Sequence, residues 1–341
     1  MGLLKLTCLS FPGVNAWATE KSFNWGNTHV TMIERRSFLK TSVPFVLGLP
    51  ALLRAQTLIE RGRFSDEQLP LAREQLLKMV NAERADAGLS QLKLDDFAGE
   101  VANRHARDMA TGGFLNHFGR DGLKPYYRYG LAGGTDAVQE NCSSAEDIGS
   151  VSPLRVLNDL HDMHQSMIDE VPPRDGHRKT ILFPYHTHVG FGIALQGRSL
   201  RLDELYLARY LQLDPFDTKA KPKSTVILTG KHLTSNHFLF GVDVCFEPLP
   251  ASLSVDWLRQ NPRSISLPDA FVHLRPKVPA GTTYADGGTG DFDWKPAGKF
   301  RVRVSLSKSE PGIYTIIFWI RKSPKDKGFV GAQVCIESRE S

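Results

Sequence analysis

Residues 175–195 read DGHRKTILFPYHTHVGFGIAL, and the chain changes character within them. The stretch opens as a turn-rich loop. With Pro172 and Pro173 just upstream, Asp175 and Gly176 place His177 in a connection between elements, where loops carry function. From His186 the pattern alternates. His186 and His188 point to one side, then Val189, Phe191 and Ile193 oppose Gly190 and Gly192, the two-residue period of a strand. DELYLARYLQL (203–213) supplies a second strand, so the pair predicts a hairpin.

Upstream the period is helical. In PLAREQLLKMVNAERADA (70–87), Leu76, Met79, Val80 and Ala87 follow helix spacing, Pro70 suits a first turn and Gly88 an exit. A second helix over about 96–111 places Ala98, Val101, Ala102, His105 and Met109 on one face. A third over about 153–170 turns Val156, Leu160, Met163 and Met167 inward. Helices followed by strands predict an α+β domain over 56–213. Residues 214–224, DPFDTKAKPKS, are a charged, proline-containing linker. Beyond them TVILTG, KFRVRVSLS, GIYTIIFWIR and GAQVCIE alternate between proline and glycine turns. That pattern predicts an all-β sandwich, immunoglobulin-like, over 225–341.

The N-terminal stretch ERRSFLKTSVPFVLGLPALLRAQ (34–56) is shaped like an export leader. Arg35 and Arg36 precede a thirteen-residue uncharged run, Thr41 to Leu53, and Ala55 offers the small residue of a cleavage site. The run is too short to span a bilayer and resembles a twin-arginine (Tat) signal, a receptor-read address rather than an anchor. Met32 lies just upstream, so residues 1–31 read as an over-extended start and 1–55 as start plus signal. The expected protein is exported, periplasmic or extracellular, with no transmembrane segment.

Of 42 basic and 37 acidic residues, six and two fall before residue 56, leaving the remainder nearly neutral. The basic balance therefore gives no case for nucleic acid or anionic lipid. Cys245 and Cys335 both sit on the polar side of strand-like runs, and this shared sidedness suggests a disulfide across neighbouring strands. Closing a loop of about 90 residues would stabilise the fold by about 4–5 kcal/mol.

Seven of the eleven histidines (105, 117, 161, 164, 177, 186 and 188) fall in the α+β domain. His105 lies on an apolar helix face and reads as a core histidine satisfied by one hydrogen bond. His161 and His164 are three apart and flank their helix's apolar stripe, which reads as a solvated face. His117, in FLNHFGRDG, sits like His177 in a loop between elements.

Five segments in order, LLKMVNAERADAGLSQLKLDD, EVANRHARDMATGGFLNHFGRDGLKPYYRYG, QEN, DGHRKTILFPYHTHVGFGIA and a final strand, resemble the CAP superfamily. These are the cysteine-rich secretory, antigen 5 and pathogenesis-related proteins, and the likeness is to their bacterial, SCP-like branch over about 70–212. The resemblance implies an α-β-α sandwich, a secreted protein, and a cleft of two histidines and two acids able to take a divalent metal such as zinc. Position by position it implies His117, Glu140 and His177. The fourth member is Glu170, with Asp169 as rival, in a stretch that lacks the family's tryptophan-containing segment. Asn141 would hold the Glu140 loop in place rather than contact substrate.

Two imidazoles with carboxylates suit Zn²⁺ or another divalent cation with an open position. Metal ligation thus falls to His117 and His177 with Glu140 or Glu170. Cys142, beside Glu140, reads as a buried inert thiol rather than a nucleophile. In YADGGTGDFDW, Asp286, Asp291 and Asp293 with Phe292 and Trp294 read as a surface loop, with calcium ligation or sugar stacking as the alternative.

Together these features predict a non-enzymatic exported protein binding a small hydrophobic, lipid, peptide or envelope-glycan ligand in a His/Glu cleft. The alternatives are a zinc-dependent peptidase or esterase using Glu140 or Glu170 as base, and a structural envelope protein.

Overall fold

A computed structural model describes residues 63–295 and 298–340; the leader-like stretch lies outside the described residues. The first domain is mixed. Helix α1 (Leu69–Asp86) leads to strand β1 (Lys93–Leu94), α2 (Asp96–Gly112), α3 (Pro125–Leu131) and β2 (Ala137–Ala145). Then come α4 (Pro153–Ile168), the single turn α5 (Gly176–Ile181), and the hairpin β3 (His188–Gln196) and β4 (Ser199–Ala208). The sheet runs β1-β3-β4-β2, with β1 parallel to β3 and the other pairs antiparallel.

Alternation along the hairpin decides which helices cover which face. Val189, Phe191 and Ile193, with Leu200, Leu202 and Tyr206, meet Leu76 and Val80 of α1 and Val156, Leu160, Met163 and Met167 of α4 in one buried core. The opposite face carries Gly190 and Gly192, and α2 lies directly on them. A Cβ at Gly190 would stand 2.2 Å from the Gly99 amide nitrogen, and one at Gly192 2.1 Å from the Ala102 carbonyl carbon. The glycines therefore let helix and strand backbones touch. The result is the expected α-β-α sandwich.

The predicted β-sandwich follows as two open sheets. One runs β10 (Asp293–Trp294), β11 (Lys299–Ser305), β7 (Thr225–His232) and β5 (Leu211–Leu213). The other runs β6 (Lys219–Ala220), β13 (Phe329–Ser338), β12 (Gly312–Arg321), β8 (Phe238–Pro248) and β9 (Ala270–Leu274). Leu228, Val302 and Val304 pack against Val244, Ile316 and Val334 between them. Residues 211–213, read from sequence as the end of the hairpin, pair with β7, and 214–224 contribute β6, parallel to β13.

The far face of the larger sheet is not solvated. Ile313 and Cys335 pack beneath Tyr126 and Tyr127 of α3. Glu247 of β8 gathers the hydroxyls of both tyrosines and the Lys124 ammonium. A second contact comes from residues 249–261. There α6 (Val255–Gln260) inserts Leu258 among Met109, Phe114 and Cys142.

The structure overturns the disulfide. Cys245 of β8 and Cys335 of β13 are each in register with Thr315, one on either side of β12. Two strand spacings, roughly 9–10 Å, separate them, beyond the span of an S–S bridge. Both are free and buried. Their shared sidedness was real, but a third strand lies between them. The acidic loop is also committed: Asp286 and Asp291 bond Arg275, Asp293 pairs with Lys277, and Phe292 is core rather than a sugar-stacking surface. Among the described residues, no helix is long and apolar enough to cross a membrane.

Candidate functional site

His117 follows α2 in a loop that the second domain holds down. Asn116 donates from Nδ2 to the carbonyls of Leu258 (2.9 Å) and Asn261 (3.0 Å), and its Oδ1 accepts from the Phe118 amide. The imidazole donates from Nδ1 to Glu140 Oε1 at 2.9 Å. Glu140 Oε2 accepts from Arg128 of α3, whose other nitrogen bridges the carbonyls of His117 and Leu123, each at 2.8 Å. Burial alone would raise the Glu140 carboxyl. The Arg128 charge and the His117 bond outweigh it and hold the group well below the usual carboxylate range.

His177, in the first turn of α5, has the same arrangement with a different acid. Its Nδ1 donates to Glu170 Oε1 at 2.6 Å and its backbone amide to Glu170 Oε2 at 2.9 Å. Asp169 instead accepts from Gln165, so Glu170 is the acid that orients His177. The two pairs meet at consecutive residues of β2. Glu140 belongs to the first, while Asn141 donates to the His177 carbonyl at 3.2 Å. Each ring keeps Nε2 without a protein partner among the described residues, and the side chains remain 19 % (His117) and 35 % (His177) exposed.

The profile of the Cysteine-rich secretory protein family (CAP) matches residues 77–207, which hold the second half of α1, helices α2 to α5, the sheet to the penultimate residue of β4, and all four residues of the two pairs. Residues 77–207 are a CAP domain. Solved structures with a similar arrangement include an outer surface protein of Borrelia burgdorferi (15 % identity, 43 % of this chain and 98 % of that one, TM-score 0.34). An extracellular SCP-domain protein of Bacillus anthracis shares 18 % identity over 43 % of this chain and 45 % of its own, with TM-score 0.32. The CAP domain of enterococcal PrgA shares 14 % over 46 % and 70 %, with TM-score 0.36. No curated protein matches the chain.

Two further polar clusters lie on either face of the CAP sheet. On the α2 face, Glu140, Cys142 and Asp203 share one side, since Cys142 and Asp203 are direct cross-strand partners and Glu140 lies two residues from Cys142. His105 reaches them from α2. It is the expected core histidine, with Nε2 on the Asn116 carbonyl at 2.8 Å and burial lowering its pKa to about 4. Cys142 donates to Glu140 Oε1 at 3.4 Å, and burial beside that carboxylate pushes the thiol up, which makes it a weak nucleophile. Burial and Glu140 likewise raise Asp203 well above the carboxylate range.

On the other face the structure corrects a reading. His161 is exposed, but His164 is fully buried, bonded to Glu204 (2.6 Å) and Glu83 (2.9 Å). Burial would lower its pKa, yet Glu204 and Glu83 raise it to about 10, so it is a buried imidazolium. Helix spacing placed it beside the apolar stripe; the acid on β4 that draws it inward lies 40 residues away. Arg128, Asp203 and Glu204 were likewise missed, because nothing local in the sequence marks a strand residue as facing a histidine.

At His117 and at His177 the donor type, an imidazole backed by a carboxylate, is one that a divalent metal can take. A carboxylate on Nδ1 fixes the tautomer and leaves Nε2 as the free donor, a common arrangement around ligating histidines. The group of metal-type side chains whose donor atoms converge within 4.8 Å is a different one, His105, Glu140, Cys142 and Asp203. A pocket of about 750 Å³ lies beside α2, bounded by Arg104, His105, Asp108 and Arg128 and, from the second domain, Ser252 and Leu253.

Proposed function

We propose that the chain is an exported protein whose CAP domain binds a small hydrophobic, peptide or envelope-glycan ligand in the cleft at His117 and His177. A divalent metal such as zinc would be held there through the two Nε2 atoms. The observation that carries this reading is the pairing of each loop histidine with its own glutamate at Nδ1, which leaves a second, accessible nitrogen pre-oriented for a ligand. A metal at this position would supply a Lewis-acid point for a ligand carbonyl or phosphate oxygen. His117 and His177 orient that contact, and Glu140 and Glu170 keep the rings from turning.

Binding is favoured over hydrolysis because a general base needs a carboxylate free to accept a proton. Both oxygens of Glu140 are taken by His117 and Arg128, and both oxygens of Glu170 by the His177 ring and amide. The leader-like stretch supports export. The β-sandwich serves the cleft by bracing the Asn116–His117 loop through α6. Envelope extract passed over the immobilised protein is expected to yield a retained ligand whose retention falls with His117→Ala and with His177→Ala. Retention indifferent to both changes would refute the reading. Chelator-sensitive turnover of peptide or ester substrates would favour hydrolysis instead.

A further inference from the structure

Beneath the cleft, on the face of the sheet under α2, four side chains converge. His105, Glu140, Cys142 and Asp203 each place one donor atom within 4.8 Å of the others. We propose that they form a second, closed site for zinc or another borderline-soft divalent cation, beneath the cleft and sharing Glu140 with it, the cation taking a remaining lone pair of a carboxylate that His117 and Arg128 already engage.

Three observations carry this. The first is unmet hydrogen-bonding capacity. Asp203 is fully buried, and neither carboxyl oxygen makes a well-formed hydrogen bond among the described residues, although the Glu140 carboxyl stands beside it; His105 is also buried, and its Nδ1 has no partner among them. Such groups cost free energy unless something occupies the space between them. The second is the tautomer. Nε2–H of His105 donates to the Asn116 carbonyl, so the lone pair resides on Nδ1, the form a metal-bound imidazole takes with a backbone carbonyl behind it. The third is charge. A divalent cation with the Arg128 guanidinium balances a Cys142 thiolate and the Asp203 and Glu140 carboxylates, three negative charges against three positive. No net charge is then buried.

One sulfur, one nitrogen and two oxygens are a donor set zinc accepts, and four protein ligands make a structural rather than a catalytic site. Bond lengths of about 2.0–2.3 Å imply donors roughly 3.3–3.8 Å apart, so the side chains must close by about 1 Å from their present spread. Access runs past His117, whose Nδ1 is 3.9 Å from Cys142 Sγ, or through the pocket that touches His105. The competing occupant is an ordered water.

Cobalt(II) substitution separates the two. The chelator-treated full chain, titrated with cobalt, is expected to develop a near-ultraviolet thiolate-to-cobalt charge-transfer band. The band should persist in His177→Ala, Cys245→Ser and Cys335→Ser and vanish in Cys142→Ser. Zinc loading of the unaltered chain should slow alkylation of Cys142 at least tenfold, a readout that needs no variant and stands if Cys142→Ser does not fold. No such band, a band surviving Cys142→Ser, or alkylation indifferent to zinc would each overturn the proposal.

Discussion

Asn141 donates from Nδ2 to the carbonyl oxygen of His177 at 3.2 Å, tying the strand that carries Glu140 to the turn that carries His177. The same sheet edge therefore sets both histidines. Glu140 and Asn141 are neighbours in β2 and point to opposite faces, so each serves one pair. The placing of both histidines therefore depends on side chains that lie behind the rings.

Arg128 is the sole guanidinium paired with the buried Glu140 among the described residues, and it also holds the His117 and Leu123 carbonyls. Replacing Arg128 with Met leaves a buried carboxylate uncompensated, a loss of about 3–5 kcal/mol. Urea denaturation measures it. A change under about 1 kcal/mol would mean Glu140 is solvated in a way the structure does not show.

His164 between Glu204 and Glu83 predicts a pH signature. Its pKa rises from 6.5 to about 10 on folding, so its contribution is complete below about pH 6.5 and is lost as the pH climbs through about 10. His164→Gln should cost about 3–5 kcal/mol near neutrality. It should also flatten the alkaline decline, measured as Tm against pH. An unchanged alkaline limb would show that His164 is not charged in the fold.

Leu258 is fully buried in the contact between the second domain and the His117 loop. Leu258→Ala should lower stability by about 2–5 kcal/mol. It should also weaken ligand retention by the cleft although no cleft residue is changed. Loss of stability with retention intact would confine the second domain to packing.

Cys245 and Cys335 should both react with iodoacetamide when the chain is denatured without reductant, read by peptide mass spectrometry. A Cys245–Cys335 disulfide peptide would contradict the placement of β12 between them.

Much of this architecture was legible in the sequence for local reasons. The three long helices and the hairpin declared themselves by period; that Gly190 and Gly192 lie against a helix backbone did not. The short helix α3 and strand β2 did not. Residues 125–131 crowd three tyrosines, of which Tyr126 and Tyr127 serve the second domain while Tyr129 bonds Asp136, and QENCSS breaks alternation because polar residues on both of its faces are at least partly buried. His117, Glu140, Glu170 and His177 were reachable through family resemblance. Their pairing was not, since it depends on a fold that brings His117 and Glu140, 23 apart, and Glu170 and His177, 7 apart, into contact. The disulfide expectation failed because a period of two reports a strand's face and not its neighbour.

The central claim is that His117 and His177 present their Nε2 atoms to a ligand. The most direct test is a calorimetric zinc titration of the Cys142→Ser chain, which silences the buried site, with and without His177→Ala. The account predicts one zinc bound per Cys142→Ser chain and none once His177→Ala is added. Zinc binding that is unchanged by His177→Ala, or absent from the Cys142→Ser chain altogether, would contradict it.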